Sequence, residues 1–201
     1  MERWRDGEME ITNINQLDPH KIYTYTDYLL WKFKERIELF KGKIFKMSPV
    51  PAKIHQDVLR NINRKFDQFF FKGQCKVYFA PFDVRIPDKD GKILTVVQPD
   101  LCVVCDLDKL DDKGCLGAPY LIVEILSSGN TKKEQDLKYS IYEEASVSEY
   151  WIVYPTDKNI QVFVLQSGIY IGLKPATEGE IITSRTFPEL SFSTDEIFGN
   201  L

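Results

Sequence analysis

Two short apolar runs, each carrying a single acid, constrain the fold more than any other stretch. Val97-Gln98-Pro99-Asp100-Leu101-Cys102-Val103-Val104 carries one, and Tyr120-Leu121-Ile122-Val123-Glu124-Ile125-Leu126 carries the other. Runs of this length, rich in β-branched residues, read as buried strands. A carboxylate inside such a strand is costly unless something compensates its charge. Laid side by side, the two strands bring Asp100 and Glu124 together as a donor set suited to a hard divalent cation such as magnesium. The competing reading sets one acid at a strand edge facing water, and Pro99 leans that way because proline favours edges.

The flanking segments supply the rest of an α/β (α+β) fold. Thr24-Tyr25-Thr26-Asp27 ahead of the apolar run Tyr28 to Phe33 predicts a helix capped by Thr24 or Thr26. Ile37 to Met47 reads as two strands joined at Lys41-Gly42-Lys43, a hairpin. Ile54, Val58, Ile62, Phe66, Phe69 and Phe70 recur at helical spacing and define a core-facing stripe that ends near Gly73. Cys75 to Ile86 reads as one long strand, followed by a turn at Pro87 to Gly91 and an acidic loop from Asp106 to Asp112. After the Glu124 strand, Thr131 caps a helix running to about Ala145, with Leu137, Ile141 and Ala145 inward. Glu149 to Pro155 is then a strand, and a strand, helix, strand crossover makes it parallel to the Glu124 strand. Ile160 to Leu165, Ile169 to Leu173 and Glu180 to Thr183 read as antiparallel strands extending the sheet.

At 201 residues and 43% hydrophobic content the chain can bury a proper core. The expected organisation is a polar leader over residues 1–22 and a single domain over residues 23–201. The start has no apolar run of the signal-peptide kind, and no stretch is long enough to span a membrane, so a soluble, cytoplasmic protein is expected. The net charge of −4 argues against coating nucleic acid by bulk electrostatics, but not against local phosphate contact. Two basic clusters stand out: Lys32, Lys34 and Arg36, and then Lys53, Arg60, Arg64, Lys65 and Lys72; either is a phosphate-contact face or a solvated helix surface. Cys102 and Cys105 have metal-ligand spacing, yet residues three apart on a strand point to opposite faces. The four cysteines, Cys75, Cys102, Cys105 and Cys115, therefore read as free, largely buried thiols.

Three more side chains carry possible chemistry. Lys138 borders the inward face of its helix and could reach the strand ends, although spacing alone favours an exposed lysine paired with Glu134. His55, beside Ile54, is a metal ligand or phosphate contact on one reading and a capping or surface histidine on the other. Glu38 alternates with Ile37 and Leu39, which assigns it to the solvent side of its strand.

The ordered set Ile37-Glu38-Leu39-Phe40-Lys41-Gly42-Lys43-Ile44, Met47-Ser48-Pro49, His55, Pro99-Asp100-Leu101, Gly117-Ala118-Pro119, Val123-Glu124-Ile125-Leu126-Ser127, Asp136-Leu137-Lys138 and Glu149-Tyr150-Trp151-Ile152-Val153 resembles the Uma2 family, a group of restriction-endonuclease-like proteins. The likeness runs from about Tyr23 to Phe198. It implies a PD-(D/E)XK nuclease fold, a restriction-endonuclease-like mixed sheet flanked by helices with a C-terminal antiparallel extension. It also implies that Asp100, Glu124 and the Ile125 carbonyl bind Mg2+ or Mn2+. Leu126 stands where the wider superfamily has lysine, so the resemblance assigns the catalytic lysine to Lys138. Glu38 and His55 become accessory to the metal or to a neighbouring phosphate, and Lys53 and Arg60 become candidate nucleic-acid contacts. Ser128 and Ser146 replace the usual proline and glycine without touching the chemistry. The implied function is metal-dependent phosphodiester hydrolysis in nucleic acid, with DNA the first expectation and RNA left open, by a chain that could pair as a homodimer.

Two rivals stand beside this reading. A non-catalytic nuclease-fold module would keep the acids and act in nucleic-acid binding or assembly. A serine hydrolase using Ser127 or Ser128 lacks the G-x-S-x-G elbow and has only two histidines in the chain, His20 and His55, to draw on.

Overall fold

The computed structural model describes residues 11–47, 52–127, 129–199 and 201. Ser48, Pro49 and Ser128, and the first ten residues of the polar leader, lie outside them. In chain order the elements are α1 (Tyr25–Leu29), β1 (Ile37–Phe40), β2 (Lys43–Lys46), α2 (Lys53–Phe70), β3 (Lys76–Phe79), β4 (Val84–Pro87), β5 (Ile93–Val97), β6 (Leu101–Val104), β7 (Leu110–Asp111), β8 (Gly114–Leu116), β9 (Leu121–Ile125), α3 (Lys132–Glu144), β10 (Glu149–Tyr154), β11 (Asn159–Gln166), β12 (Ile169–Gly172), β13 (Ala176–Thr177), β14 (Ile181–Thr183), β15 (Ser191–Ser193) and α4 (Asp195–Phe198).

The strands form two mixed sheets and a separate pair. One sheet runs β2-β1-β5-β4-β8-β7 and the other β12-β11-β10-β9-β6-β3, with β13 against β11. The expected parallel pairing of β9 with β10 is present, with Glu124 opposite Ile152. The tail extends the second sheet through β11 and β12, but β14 departs from expectation and pairs only with β15.

Three apolar layers follow from strand alternation. Leu101, Val103, Leu121, Val123, Trp151 and Val153 face one way, onto the α2 stripe of Val58, Ile62, Phe66 and Phe70. Their neighbours Cys102, Val104, Ile122, Tyr150 and Ile152 face the other way, onto Phe40, Val84 and Val97 of the first sheet and Ile141 and Tyr142 of α3. The far face of the first sheet, through Leu39 and Val96, packs on Leu17, Tyr23 and Tyr25.

Several local expectations change. Residues 97–104 do not form one strand: β5 and β6 belong to different sheets, and Gln98-Pro99-Asp100 links them. Nor do residues 75–86, which divide into β3 and β4 on either side of Pro81. In both places proline, with no N–H to donate, takes the chain out of one ladder so that it can join another. The strand that the PD motif leads into is not an edge, because β6 lies between β9 and β3. Helix α1 stops at Leu29 instead of running to Phe33, and Trp31 bridges Ile11. The Thr24 cap is as expected, reciprocated by the Asp27 carboxylate. The β1–β2 turn places Lys41 at φ 51° and Gly42 at φ 78°, the paired positive values of a tight hairpin turn. Cys75 and Cys105 are joined as a disulfide, contrary to the free-thiol reading, because antiparallel β3 and β6 put them at consecutive register. Cys102 and Cys115 are free and buried.

Candidate functional site

The site lies where the carboxyl end of β9, the start of β6, β1 and helix α3 meet. Glu124 shares its strand face with Ile122, so it points between the two sheets, where only 7% of the residue is exposed. Helix α3, capped by the Thr131 hydroxyl accepting from Glu134 N, lies over that face. Lys138, Ile141 and Tyr142 are its buried residues, an i, i+3, i+4 set that turns one side of the helix inward. Leu137 and Ala145, expected to be inward, are only partly covered.

Lys138 is therefore not the exposed partner of Glu134. Its Nζ lies 2.9 Å from Glu124 Oε1 and 3.2 Å from Glu38 Oε1. Tyr142 OH donates to the same Glu124 oxygen at 2.6 Å. Glu38, assigned to the solvent side, is 2% exposed, because β1 is an interior strand covered on both faces. It also accepts from Gln98 N at 2.8 Å, which ties the β5–β6 link to the cluster.

Asp100 stands in that link. Its Oδ2 accepts from Ile125 N at 2.7 Å, so the acid is seated directly on the end of β9. His55 Nε2 lies 3.2 Å from Asp100 Oδ1. The expected α2 stripe is inward at Val58, Ile62, Phe66 and Phe70. His55 and Asn61 join that buried face, while Ile54 and Phe69 are exposed. The structure thus brings Glu38, His55, Asp100, Glu124 and Lys138 together, with Ile125 contributing its backbone. Lys53 and Arg60 stay outside the cluster on the exposed side of α2, both paired with Asp57.

Burial and charge set the protonation states. Burial pushes the Glu124 carboxyl up to about 7; Lys138 opposes the shift, and the Asp100 and Glu38 charges add to it. Burial also raises Glu38 in spite of Lys138. Lys138 is buried too, yet Glu124 and Glu38 outweigh that effect and hold its ammonium charged. Burial lowers His55, but the hydrogen bond and charge of Asp100, with the charge of Glu124, carry it upward overall. His55 Nδ1 is buried with no partner among the described residues.

Three carboxylates thus crowd one ammonium and one imidazole, and a cation would relieve the excess. Among the described residues, no group of three or more His, Cys, Asp and Glu side chains converges to hold a metal by itself. Two carboxylates and the Ile125 carbonyl fit magnesium nonetheless, since that ion is commonly held through one or two carboxylates with water completing its shell. Gln98 and Tyr142 escaped the sequence reading. Tyr142 could have been found from its i,i+4 spacing to Lys138, whereas nothing in the sequence marked the Gln98 backbone.

Residues 25–195 match the family Uma2, described as a putative restriction endonuclease. A solved structure, a putative nuclease belonging to DUF820 from Anabaena variabilis ATCC 29413, has a similar fold, with a TM-score of 0.70 at 16% identity over 88% of this chain and 97% of that one. At that identity the likeness concerns the fold alone. No curated protein matches the chain.

Proposed function

We propose that this chain, which belongs to the Uma2 family, described as a putative restriction endonuclease, is a metal-dependent nuclease acting on nucleic acid, with DNA as the first candidate substrate. The observation that carries this reading is the buried meeting of Asp100, Glu124 and Lys138 at the end of β9. Asp100, Glu124 and the Ile125 carbonyl would hold Mg2+ or Mn2+. When bound, the cation would lower the pKa of an attacking water and offset charge on the phosphoryl oxygens.

The other groups position and balance this set. Lys138, kept charged by two carboxylates, supplies a fixed positive charge toward the phosphoryl group and holds Glu124 in one rotamer. Glu38 shares that ammonium and so restrains it from the side of the first sheet. His55 orients Asp100 through its Nε2. Helix α3 supplies Lys138 to the same acid that a lysine two residues further along β9 would flank, which accounts for Leu126 at that position.

The test is cleavage of duplex, single-stranded and branched DNA and of RNA with Mg2+ or Mn2+, comparing wild type with Asp100→Ala and Glu124→Ala. Each substitution should lower cleavage by at least about a hundredfold, the scale of losing one preorganised electrostatic element. Metal binding that needs both acids, without cleavage of any substrate, would instead favour a non-catalytic binding module.

A further inference from the structure

A depression of about 280 Å³ opens beside Asp100 and His55, on the outer side of α2 and against the end of β3. It is smaller than the roughly 300–1,000 Å³ typical of small-molecule pockets, which suits one planar ring system and not two. His55 and Asp100 of the acid cluster form its inner margin and Leu59 touches the core, while polar side chains supply most of the rest of its lining. Gln56, Arg60 and Asn63 line it from α2, and Arg36 closes it from the segment before β1. The three α2 residues fall at i, i+4 and i+7, so the helix presents two carboxamides and a guanidinium along one stripe. Arg36 donates to Gln98 Oε1 at 2.8 Å, which holds its guanidinium beside the β5–β6 link that carries Asp100.

Opposite them stands Phe79, the last residue of edge strand β3, which is 55% exposed. An exposed phenylalanine alone means little. This one stands with two guanidinium groups and two carboxamides around a ring-sized space next to the acids. Aromatic faces stack nucleobases, arginines take the phosphates, and carboxamides hydrogen-bond base edges. A paired, stacked base cannot present its face to Phe79.

Building on the nuclease reading, we propose that this depression is a subsite for one unpaired nucleotide flanking the cut phosphate, so that the substrate is single-stranded or locally unpaired nucleic acid. Phe79 stacks on the base, Gln56 and Asn63 meet its edge, and Arg36 and Arg60 hold the adjoining phosphates.

The experiment measures binding of a short single-stranded DNA carrying a fluorescent adenine analogue, of the same DNA annealed to its complement, and of the matching RNA strand, all in chelator to prevent cutting. Wild type should bind a single strand on the order of tenfold more tightly than the duplex. Phe79→Ala should lose on the order of tenfold, and Phe79→Tyr should retain binding, as stacking requires. Arg36→Ala should weaken binding and lower the salt dependence by about one phosphate contact. The DNA and RNA arms identify the sugar. No binding of either strand, equal binding of duplex and single strand, or wild-type binding by Phe79→Ala would overturn the subsite. Parallel cleavage assays with Mg2+ and Asp100→Asn read the nuclease assignment separately. Cleavage lost in Asp100→Asn alongside binding indifferent to Phe79 sinks the subsite alone. Phe79-dependent binding with no cleavage by wild type sinks the nuclease reading alone.

Discussion

Glu124 and Glu149 are buried glutamates on neighbouring parallel strands, and they are held in opposite ways. Glu149 opens β10 and is saturated with neutral donors: Trp151 Nε1 reaches one oxygen at 2.6 Å, and Ser184 Oγ, Arg185 N and Thr186 N reach the other at 2.8, 2.9 and 2.6 Å. Glu124 lies near the end of β9. One of its oxygens takes both Lys138 and Tyr142, and among the described residues no donor reaches the second. Two further carboxylates stand close to Glu124 and push its proton affinity up. The contrast separates a carboxylate that anchors the chain, pinning the segment after β14, from one left with spare coordinating capacity among like charges. Burial alone does not distinguish them; the partners do.

The strongest test of the contrast removes Lys138, the ammonium bound at the Glu124 end. Lys138→Met leaves Glu38 and Glu124 buried without their cation and should cost about 3–5 kcal/mol in urea unfolding near neutral pH. The deficit should shrink in acid, where the two carboxyls take up protons. A neutral result at all pH values would break the comparison, because the two glutamates would then be equally self-sufficient.

A proton titration comes next in size. The folded protein keeps a proton on Glu124 up to about 7, whereas the unfolded chain releases it near the ordinary value of 4.5. More protons are bound by the folded state across that window, so metal-free stability should fall as pH rises through it, by up to roughly 3 kcal/mol for one proton. If Mg2+ binds as proposed, it competes with that proton, and its affinity should rise over the same range, as calorimetry would read. Glu124→Gln should flatten the stability profile. Glu149→Gln should lower stability by about 1–3 kcal/mol, the scale of weakening the hydrogen bonds to a buried acceptor.

The smallest effect sharpens the picture. Tyr142→Phe removes one donor from Glu124 at a cost of about 0.5–1.5 kcal/mol. That hydrogen bond lowers the Glu124 value, so its loss should move the titration window upward. An unmoved window would mean that the hydroxyl contributes nothing to the poise of the acid.

Particular residues show how far the sequence could be read. The α2 stripe was legible because apolar spacing reports burial, yet it failed at its first position. Ile54 looked like the inward residue and His55 like its neighbour, but the polar ring is the buried one because Asp100 offers it a partner. Glu38 misled for a related reason. Alternation predicts a wet face only when one side of a strand meets water, and β1 is covered on both. Asp100 and Glu124 were found because acids inside apolar runs stand out against their background. Spacing set Lys138 at the border of the inward face but favoured a surface pair with Glu134, and the family resemblance alone tipped the reading toward the acids. The split of residues 97–104 between two sheets was not legible from the run itself, because apolar character does not record which neighbours a strand will have. The Cys75–Cys105 link was hidden likewise, as it depends on the β3–β6 register.

The lysine at the centre bridges a carboxylate from each sheet, with Glu38 and Glu124 separated by 86 positions along the chain as numbered. Contacts so distant in sequence form only after the intervening chain has been closed into place. A nascent or half-assembled chain therefore lacks the charge balance that defines the cluster, even when either sheet has formed alone. Charge balance in the cluster and completion of the fold become one event, so that any chemistry resting on that balance, the proposed nuclease activity included, belongs to the finished molecule.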